Sequence, residues 1–164
     1  MNRRQFIIGS LGLTALPLVL SRTFGDTDMP PSNGKIKKIV KSDEEWKSIL
    51  TPEQYAVLRE EDTEKPHSSP LNHEKRKGTY VCAGCALPLF ASDMKYDSGT
   101  GWPSFFTTIA GAVETKRDWK MIFPRTEYHC ARCGGHQGHV FDDGPEPTGQ
   151  RWCNNGVALK FIPA

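Results

Sequence analysis

The five cysteines of the chain fall into two groups by their spacing. Cys82 and Cys85 form one Cys-x-x-Cys pair, Cys130 and Cys133 form a second, and Cys153 stands alone. Cysteine thiolates act both as ligands of soft metal ions and as nucleophiles. The spacing therefore predicts two separate functions, one for the paired cysteines and another for Cys153.

The two pairs have the ligand number and the local spacing of a tetrahedral Cys₄ zinc site. Because 44 residues separate the pairs, one zinc ion per chain would join two distant hairpins. Four protein thiolates close the coordination sphere, so this zinc would stabilise the fold and not catalyse a reaction. Two alternatives are open: the pairs form two disulfides in an exported protein, or one pair is a thioredoxin-like redox motif.

The single cysteine lies in the strand-like segment QRWCNNG, residues 150–156. Alternate side chains of a strand share a face, so Arg151, Cys153 and Asn155 are expected to point the same way. A single cysteine is either an inert buried residue or a nucleophile whose pKa a neighbouring cation or hydrogen-bond donor lowers. Arg151 is either such a cation or a solvated strand residue, and we favour the second interpretation.

Two other segments carry polar or aromatic side chains in glycine-rich surroundings. GGHQGHVFDDG contains His136 and His139, and SGTGWPSF contains Trp102. A histidine next to a cysteine can activate it as a nucleophile. Asp142 could orient His139 and complete the Cys-His-Asp arrangement of a thiol hydrolase, although a simple turn is the favoured interpretation of its segment.

Short elements are predicted to position these residues. Two helices are expected at residues 42–50 and 51–60, each starting with a capping box. Residues 62–78 form a polar loop that is expected to lie on the surface. From Thr79 onward, short apolar or alternating segments between glycines and prolines predict antiparallel strands. The chain is thus expected to contain one mainly β domain with short N-terminal helices.

The N-terminus has the features of an export signal. MNRRQF places paired arginines before a moderately apolar run that is too short for a comfortable transmembrane span. We therefore predict a twin-arginine signal at residues 1–25, a linker at 26–41, the folded domain at 42–164, and a location in the periplasm or cell envelope. An uncleaved anchor is the alternative. The net charge is +2 and no basic block occurs, which argues against a nucleic-acid partner.

Four motifs together resemble the B class of methionine-R-sulfoxide reductases. They are YVCAGCALPLF, SGTGWPSF, CARCGGHQGHVFDDGPEPTG and RWCNNG, and the resemblance extends over residues 42 to 163. It implies two antiparallel β-sheets in a β-tent or sandwich-like domain, with zinc bound by the two cysteine pairs. It also implies site residues, which are the catalytic Cys153, His136, His139 and Asn155 and the substrate-binding Trp102.

The resemblance further implies a reaction and its partners. The substrate would be methionine R-sulfoxide in oxidised proteins, or the free amino acid, and the thiolate of Cys153 would attack the sulfur to give a sulfenic acid. Thr100 stands where many members carry a resolving cysteine, so the chain resembles the one-cysteine branch. A thioredoxin-like donor would then reduce the sulfenic acid directly. We expect a monomer that repairs oxidative damage, with no membrane contact beyond an uncleaved signal.

The chain also departs from the common pattern of the family. RWCNNG differs at Trp152, Asn154 and Gly156, and His67 replaces a frequent aromatic residue. These changes are expected to alter the shape of the pocket but not the reaction. A zinc-ribbon binding module without catalysis is the rival interpretation, although it would be expected to present a basic or aromatic recognition face.

Overall fold

The computed structural model describes residues 36–119 and 124–164, which belong to one compact unit, Ser32–Ala164. The predicted export signal and most of the predicted linker lie outside the described residues. Within the described part, no helix is long and apolar enough to cross a membrane.

Both predicted helices are present near the start of the described chain. α1 spans Asp43–Ile49 and α2 spans Pro52–Glu60. Each begins with a complete capping box, in which the side chain of Ser42 or Thr51 accepts a backbone N–H and a side chain from the first turn accepts the N–H of the cap residue. The sequence prediction for this region is therefore confirmed.

In residues 36–119 and 124–164, nine strands follow the helices and form two antiparallel sheets. The first sheet has the order β2-β1-β9, with β1 at Gly78–Cys82, β2 at Pro88–Ala91 and β9 at Leu159–Pro163. The second has the order β3-β4-β8-β7-β6-β5. Its strands are β3 Lys95–Tyr96, β4 Ser104–Phe105, β5 Val113–Asp118, β6 Arg125–Cys130, β7 His136–Phe141 and β8 Arg151–Asn154. The predicted mainly β class with two antiparallel sheets is confirmed.

An aromatic core fills the space between the two sheets. Phe90 of the first sheet stacks on Phe105 of the second with ring centroids 3.9 Å apart, and Tyr80 meets Phe105 edge-on. Tyr128 extends this cluster and contacts Trp152 at 5.0 Å. Buried aromatic rings contribute large apolar areas, so this layer supplies much of the cohesion between the sheets.

The opposite face of the six-stranded sheet carries a row of polar residues. Cross-strand partners share a face, and the register joins residues of all six strands in one line. The row consists of Tyr96, Ser104, Cys153, His139, Glu127 and Lys116. Cys153 and His139 are thus direct cross-strand neighbours at the centre of the sheet.

A β-bulge in β7 brings a second histidine to the same face. His136 and His139 are three residues apart, and a regular strand would place them on opposite faces. The register between β6 and β7 shifts by one residue after Tyr128, so that His136 also faces Glu127. The two imidazole rings lie 5.6 Å apart as a result.

Candidate active site and cysteine cluster

The four paired cysteines converge on one point between the sheets. Their sulfur atoms lie within 4.8 Å of one another, with Cys82 Sγ 3.6 Å from Cys133 Sγ and Cys85 Sγ 3.4 Å from Cys130 Sγ. Sulfur atoms around a tetrahedral zinc ion are separated by about 3.8 Å, which follows from Zn–S bonds of about 2.3 Å. All five cysteines of the chain are unbridged, so the four are positioned to hold a metal ion.

Each Cys-x-x-Cys pair lies in a tight turn. The two turns share the same backbone hydrogen bond but have different residues at the position with positive φ. The N–H of the residue after the second cysteine donates to the carbonyl of the first cysteine, from Ala86 to Cys82 and from Gly134 to Cys130, both at 2.8 Å. Ala86 and Gly134 both have positive φ, 57° and 68°. Only the second turn thus has glycine at its left-handed position.

The lone cysteine lies in an open cavity of about 110 Å³. Cys153 is partly buried, and Trp102, His139 and Asn155 line the same cavity. β8 ends at Asn154, and the chain continues into a short 3-10 turn at Gly156–Ala158. The structure therefore brings four of the five predicted catalytic and substrate-binding residues to one cavity, with His136 adjacent to His139.

Burial raises the pKa of the Cys153 thiol above its ordinary value, and the charge of Arg151 opposes this shift. Hydrogen bonds from Thr100, Arg151 and Ser104 to the sulfur also lower its pKa. The thiol form therefore predominates at neutral pH, and the surrounding donors are arranged to stabilise the thiolate once the proton leaves.

Arg151 is buried, contrary to the interpretation that it is a solvated strand residue. Its relative exposure is 9%. Its Nε and Nη2 donate to the two carboxylate oxygens of Asp143 at 2.8 and 2.9 Å, and its guanidinium lies 4.3 Å from the ring centre of Phe141. The bidentate pair fixes the cation on the same face as Cys153, where it lowers the pKa of the thiol.

His139 is oriented by a carboxylate from another strand. Its Nε2 is 2.8 Å from Asp118 Oδ2, and Arg125 donates to the same oxygen at 2.8 Å. The carboxylate that orients His139 therefore belongs to Asp118 and not to the neighbouring Asp142, and Cys153 is the cross-strand neighbour of the same histidine. Burial lowers the pKa of His139, and the hydrogen bond to Asp118 partly offsets this effect. His139 is therefore neutral at pH 7 in the free protein.

His136 is almost fully buried behind His139. Its Nδ1 is 2.7 Å from Glu127 Oε1, and its Nε2 has no hydrogen-bond partner among the described residues. Burial lowers its pKa, while Glu127 opposes the shift. An unpaired buried ring nitrogen is costly, so this atom is suited to bind a water molecule or a polar ligand group.

Asn155 and Trp102 are both held by hydrogen bonds. The side-chain amide of Asn155 donates to the carbonyl of Gln137 at 3.1 Å and accepts the N–H of Glu64 at 3.1 Å. The indole Nε1–H of Trp102 donates to the carbonyl of Glu64, also at 3.1 Å. Both side chains consequently have fixed orientations at the cavity wall.

The positions that depart from the family pattern have distinct locations. Asn154 is fully buried and accepts the Tyr128 hydroxyl at 2.7 Å, and Trp152 packs in the aromatic core. A side chain at Gly156 would meet the Ser69 hydroxyl 1.9 Å from its Cβ. His67 lies behind Trp102 and lines a neighbouring cavity, not the one that contains Cys153.

The carboxylates that hold the two histidines were not predicted from the sequence. Asp118 and Glu127 are separated from His139 and His136 by 21 and 9 residues, and nothing local in the sequence links them. Alternation in β5 and β6 places them on the polar face, but only the register identifies their partners. Glu64 was assigned to a surface loop, yet it contacts the site.

Comparison with known proteins establishes the family. The SelR domain matches residues 50–163. The peptide methionine sulfoxide reductase MsrB of Methanosarcina mazei is 56% identical over 125 residues, which cover 76% of this chain and 89% of that protein. The protein of the same name from Bradyrhizobium diazoefficiens is 54% identical, covering 77% and 91%. The chain belongs to the SelR-domain family, the B class of methionine-R-sulfoxide reductases, and is an oxidoreductase.

A more distant relative and a solved structure were also found. The peptide methionine sulfoxide reductase B1, chloroplastic, of Arabidopsis thaliana is 52% identical over 121 residues, covering 73% of this chain and 60% of that protein. The crystal structure of the Mis18 "Yippee-like" domain aligns with a TM-score of 0.43 at 15% identity, covering 54% of this chain and 98% of that one. This last similarity is too low to establish a shared fold.

The opposite pKa shifts of Cys153 and His139 predict a wide plateau of activity. If the thiol gives its proton to a neutral His139, activity falls only below the lowered pKa of the imidazole and above the raised pKa of the thiol. Replacing Asp118 by Asn removes the negative charge that raises the pKa of His139. We expect the acid limb of kcat/KM to move to lower pH by about one unit, with the alkaline limb unchanged.

The pH profile of kcat/KM measured from pH 4.5 to 10 checks this prediction. Asp142→Asn is the matched control, because Asp142 is an exposed aspartate near His139 in sequence but not its partner. An acid limb that stays in place or moves to higher pH in Asp118→Asn would show that His139 does not accept the thiol proton.

Proposed function

We propose that the chain reduces methionine R-sulfoxide to methionine by direct attack of Cys153, without a resolving cysteine, in the repair of oxidised proteins. The observation that carries this proposal is the register that sets Cys153 opposite His139 in a cavity shared with Trp102 and Asn155. Membership of the SelR-domain family supports the substrate class. Free methionine sulfoxide would also be a substrate, provided that the open cavity binds the sulfoxide group without contacts to a surrounding peptide.

The reaction would begin with transfer of the Cys153 proton to His139. The neutral imidazole is held by Asp118 through Nε2, which leaves Nδ1 for this proton. The thiolate attacks the sulfoxide sulfur, and the imidazolium of His139 returns the proton to the sulfoxide oxygen. The hydroxyl group then passes from the substrate sulfur to the Cys153 sulfur as the bond between the two sulfurs breaks, so that methionine leaves and Cys153 becomes a sulfenic acid. Cys153 thus loses two electrons, the sulfoxide gains two electrons, and the proton of the thiol ends on the transferred oxygen.

Three further residues would bind the substrate around this step. Trp102 provides an apolar face for the terminal methyl group. The Asn155 amide, together with the unpaired Nε2 of His136 and an intervening water, would hold the oxygen. Methyl and oxygen exchange places between the two sulfoxide epimers, so a fixed methyl site and a fixed oxygen site select one epimer.

Reduction of the sulfenic acid would require an external thiol. Thr100 stands where the resemblance places a resolving cysteine, and its side chain is one of the groups that lower the pKa of the Cys153 thiol. The other four cysteines are gathered in the cluster. One donor thiol forms a mixed disulfide and releases water, and a second restores Cys153 and leaves the donor oxidised. A thioredoxin-like protein is the donor that this chemistry fits, and a monomer suffices because every site residue comes from one chain.

We expect the wild-type protein to consume only the R epimer of methionine sulfoxide with dithiothreitol as donor. Cys153→Ser should lower kcat/KM by at least about 10³-fold, because an alcohol is a far weaker nucleophile than a thiolate. Chromatographic quantification of both epimers is the measurement. Turnover that survives in Cys153→Ser would disprove the nucleophile, and absence of turnover in the wild type would favour a binding module.

The metal would be zinc, one ion per chain, held by Cys82, Cys85, Cys130 and Cys133. Four thiolates suit its borderline-soft character, and their closed geometry gives it a structural role. The cluster joins β1 of the first sheet to the hairpin of β6 and β7 in the second, so the ion would hold the sheets together.

Mass spectrometry of freshly purified protein should find about one zinc per chain. Removal by a chelator should lower the melting temperature, because the ion binds only the folded state. Cys85→Ser should bind zinc more weakly, with Cys153→Ser as the matched control that keeps full occupancy. A native mass lower by the hydrogens of two disulfides, with no metal, would contradict the assignment.

We also propose that residues 1–25 direct export by a twin-arginine route, and that the enzyme works in the periplasm or cell envelope. Adjacent Arg3 and Arg4 before an apolar run support this proposal. That route carries folded proteins, which suits a domain whose metal is bound before export. The donor would then be an exported thioredoxin-like domain.

Replacing Arg3 and Arg4 together by Lys keeps the charge but removes the arginine pair. We expect the protein to accumulate in the cytoplasm, because the export route recognises the paired guanidinium groups and not charge alone. Cell fractionation followed by immunoblotting measures the distribution. Arg22→Lys is the control, and equal export of the double variant and the wild type would exclude this route.

A further inference from the structure

Glu64 contacts two separate segments around the cavity, the loop of Trp102 and residues 155–157. It lies in the loop after α2, where its backbone N–H donates to Asn155 Oδ1 at 3.1 Å and its carbonyl accepts the indole N–H of Trp102 at 3.1 Å. Its carboxylate accepts the N–H of Gly156 at 2.6 Å and that of Val157 at 3.0 Å. One residue therefore connects both proposed substrate-binding side chains and the turn that follows the nucleophile.

The carboxylate is the anchor of this arrangement. Its two oxygens each accept one backbone N–H from adjacent residues, and hydrogen bonds to a charged acceptor are stronger than neutral ones. The anchored backbone then presents its N–H to Asn155 and its carbonyl to Trp102. The N–H and the carbonyl belong to the same residue, Glu64. The distance between the Trp102 indole and the Asn155 amide is therefore set by one short stretch of backbone.

The Asn155 amide orientation also depends on Glu64. The N–H of Glu64 requires an oxygen opposite it, and the carbonyl of Gln137 requires an N–H from the other end of the same amide. The amide is thus prevented from flipping, and its remaining donor and acceptor positions face fixed directions. An amide that flipped would exchange donor for acceptor at the cavity wall.

We propose that Glu64 is a positioning residue that fixes the methyl site at Trp102 relative to the oxygen site at Asn155. This inference rests on the proposed function, and it assigns to the loop after α2 a part in substrate recognition. Glu64 touches neither the reacting sulfur nor the oxygen, and it acts only through the two side chains that do. Methyl contact with Trp102 contributes to substrate binding, whereas Asn155 acts on the oxygen as it gains charge.

Glu64→Gln is the variant that tests this role. It preserves volume, but its single carbonyl oxygen accepts one of the two backbone N–H groups, and its NH₂ faces the other as a second donor. We expect KM for methionine R-sulfoxide to rise and kcat to fall, each by about three- to tenfold. Glu60→Gln is the matched control, because Glu60 is an exposed glutamate at the end of α2, and it should behave as the wild type.

Double variants separate positioning from general stability. In a Trp102→Phe background, which lacks the indole N–H, Glu64→Gln should no longer change KM. In an Asn155→Ala background it should no longer change kcat. Effects that depend on a shared partner are non-additive in this way, whereas independent effects add.

Equal fold-changes of Glu64→Gln in all three backgrounds, or no change in any of them, would overturn the proposal. If the variant fails to fold, nuclear magnetic resonance decides the question in the wild type. The side-chain amide protons of Asn155 should exchange slowly with solvent and give one conformer, and fast exchange or two conformers would overturn the proposal. Wild-type turnover that depends on Cys153 shows that the proposed function holds even if the Glu64 role fails.

Discussion

The pairing of β7 with β8 is the constraint on which the site depends, because it sets His139 directly opposite Cys153. Gly138 makes this pairing possible, since a Cβ there would lie 2.0 Å from the carbonyl oxygen of Cys153. A slip of one residue would turn every side chain of β8 to the other face. The cysteine would then enter the aromatic core, and Trp152 would replace it in the cavity.

The six-stranded sheet separates stability from chemistry by its two faces. One face packs aromatic rings against the first sheet, and the other carries carboxylates, histidines and Cys153. Burial disfavours charge on Cys153 and His139, and the fixed partners Arg151 and Asp118 oppose that effect. The resting pair is therefore neutral, yet its neighbours are placed to stabilise the ion pair that a single proton transfer creates.

Local features of the sequence predicted the elements but not their register. Capping boxes predicted the two helices, and Cys-x-x-Cys spacing predicted the cysteine cluster. Alternation along the strand predicted that Arg151 and Cys153 share a face. The bulge that brings His136 beside His139 has no local signal, since it arises from pairing with β6. The roles of Asp118 and Glu64 were not predicted for the same reason, because their partners are distant in sequence. Polar residues in strands and loops are also usually solvated, so their type alone gives no signal.

The helices before the first strand cover one side of the cysteine cluster. Arg59 of α2 donates to the Cys133 carbonyl at 3.1 Å and lies 5.1 Å from the ring centre of Trp46, while Leu58 rests against Gly135. Reagents and oxidants reach the sulfurs on this side only when α2, a helix of nine residues, detaches. Among the four cysteines of the cluster, Cys82, Cys130 and Cys133 are buried and Cys85 is partly exposed, so an oxidant in solution meets the Cys85 sulfur before the three that the helices and sheets cover.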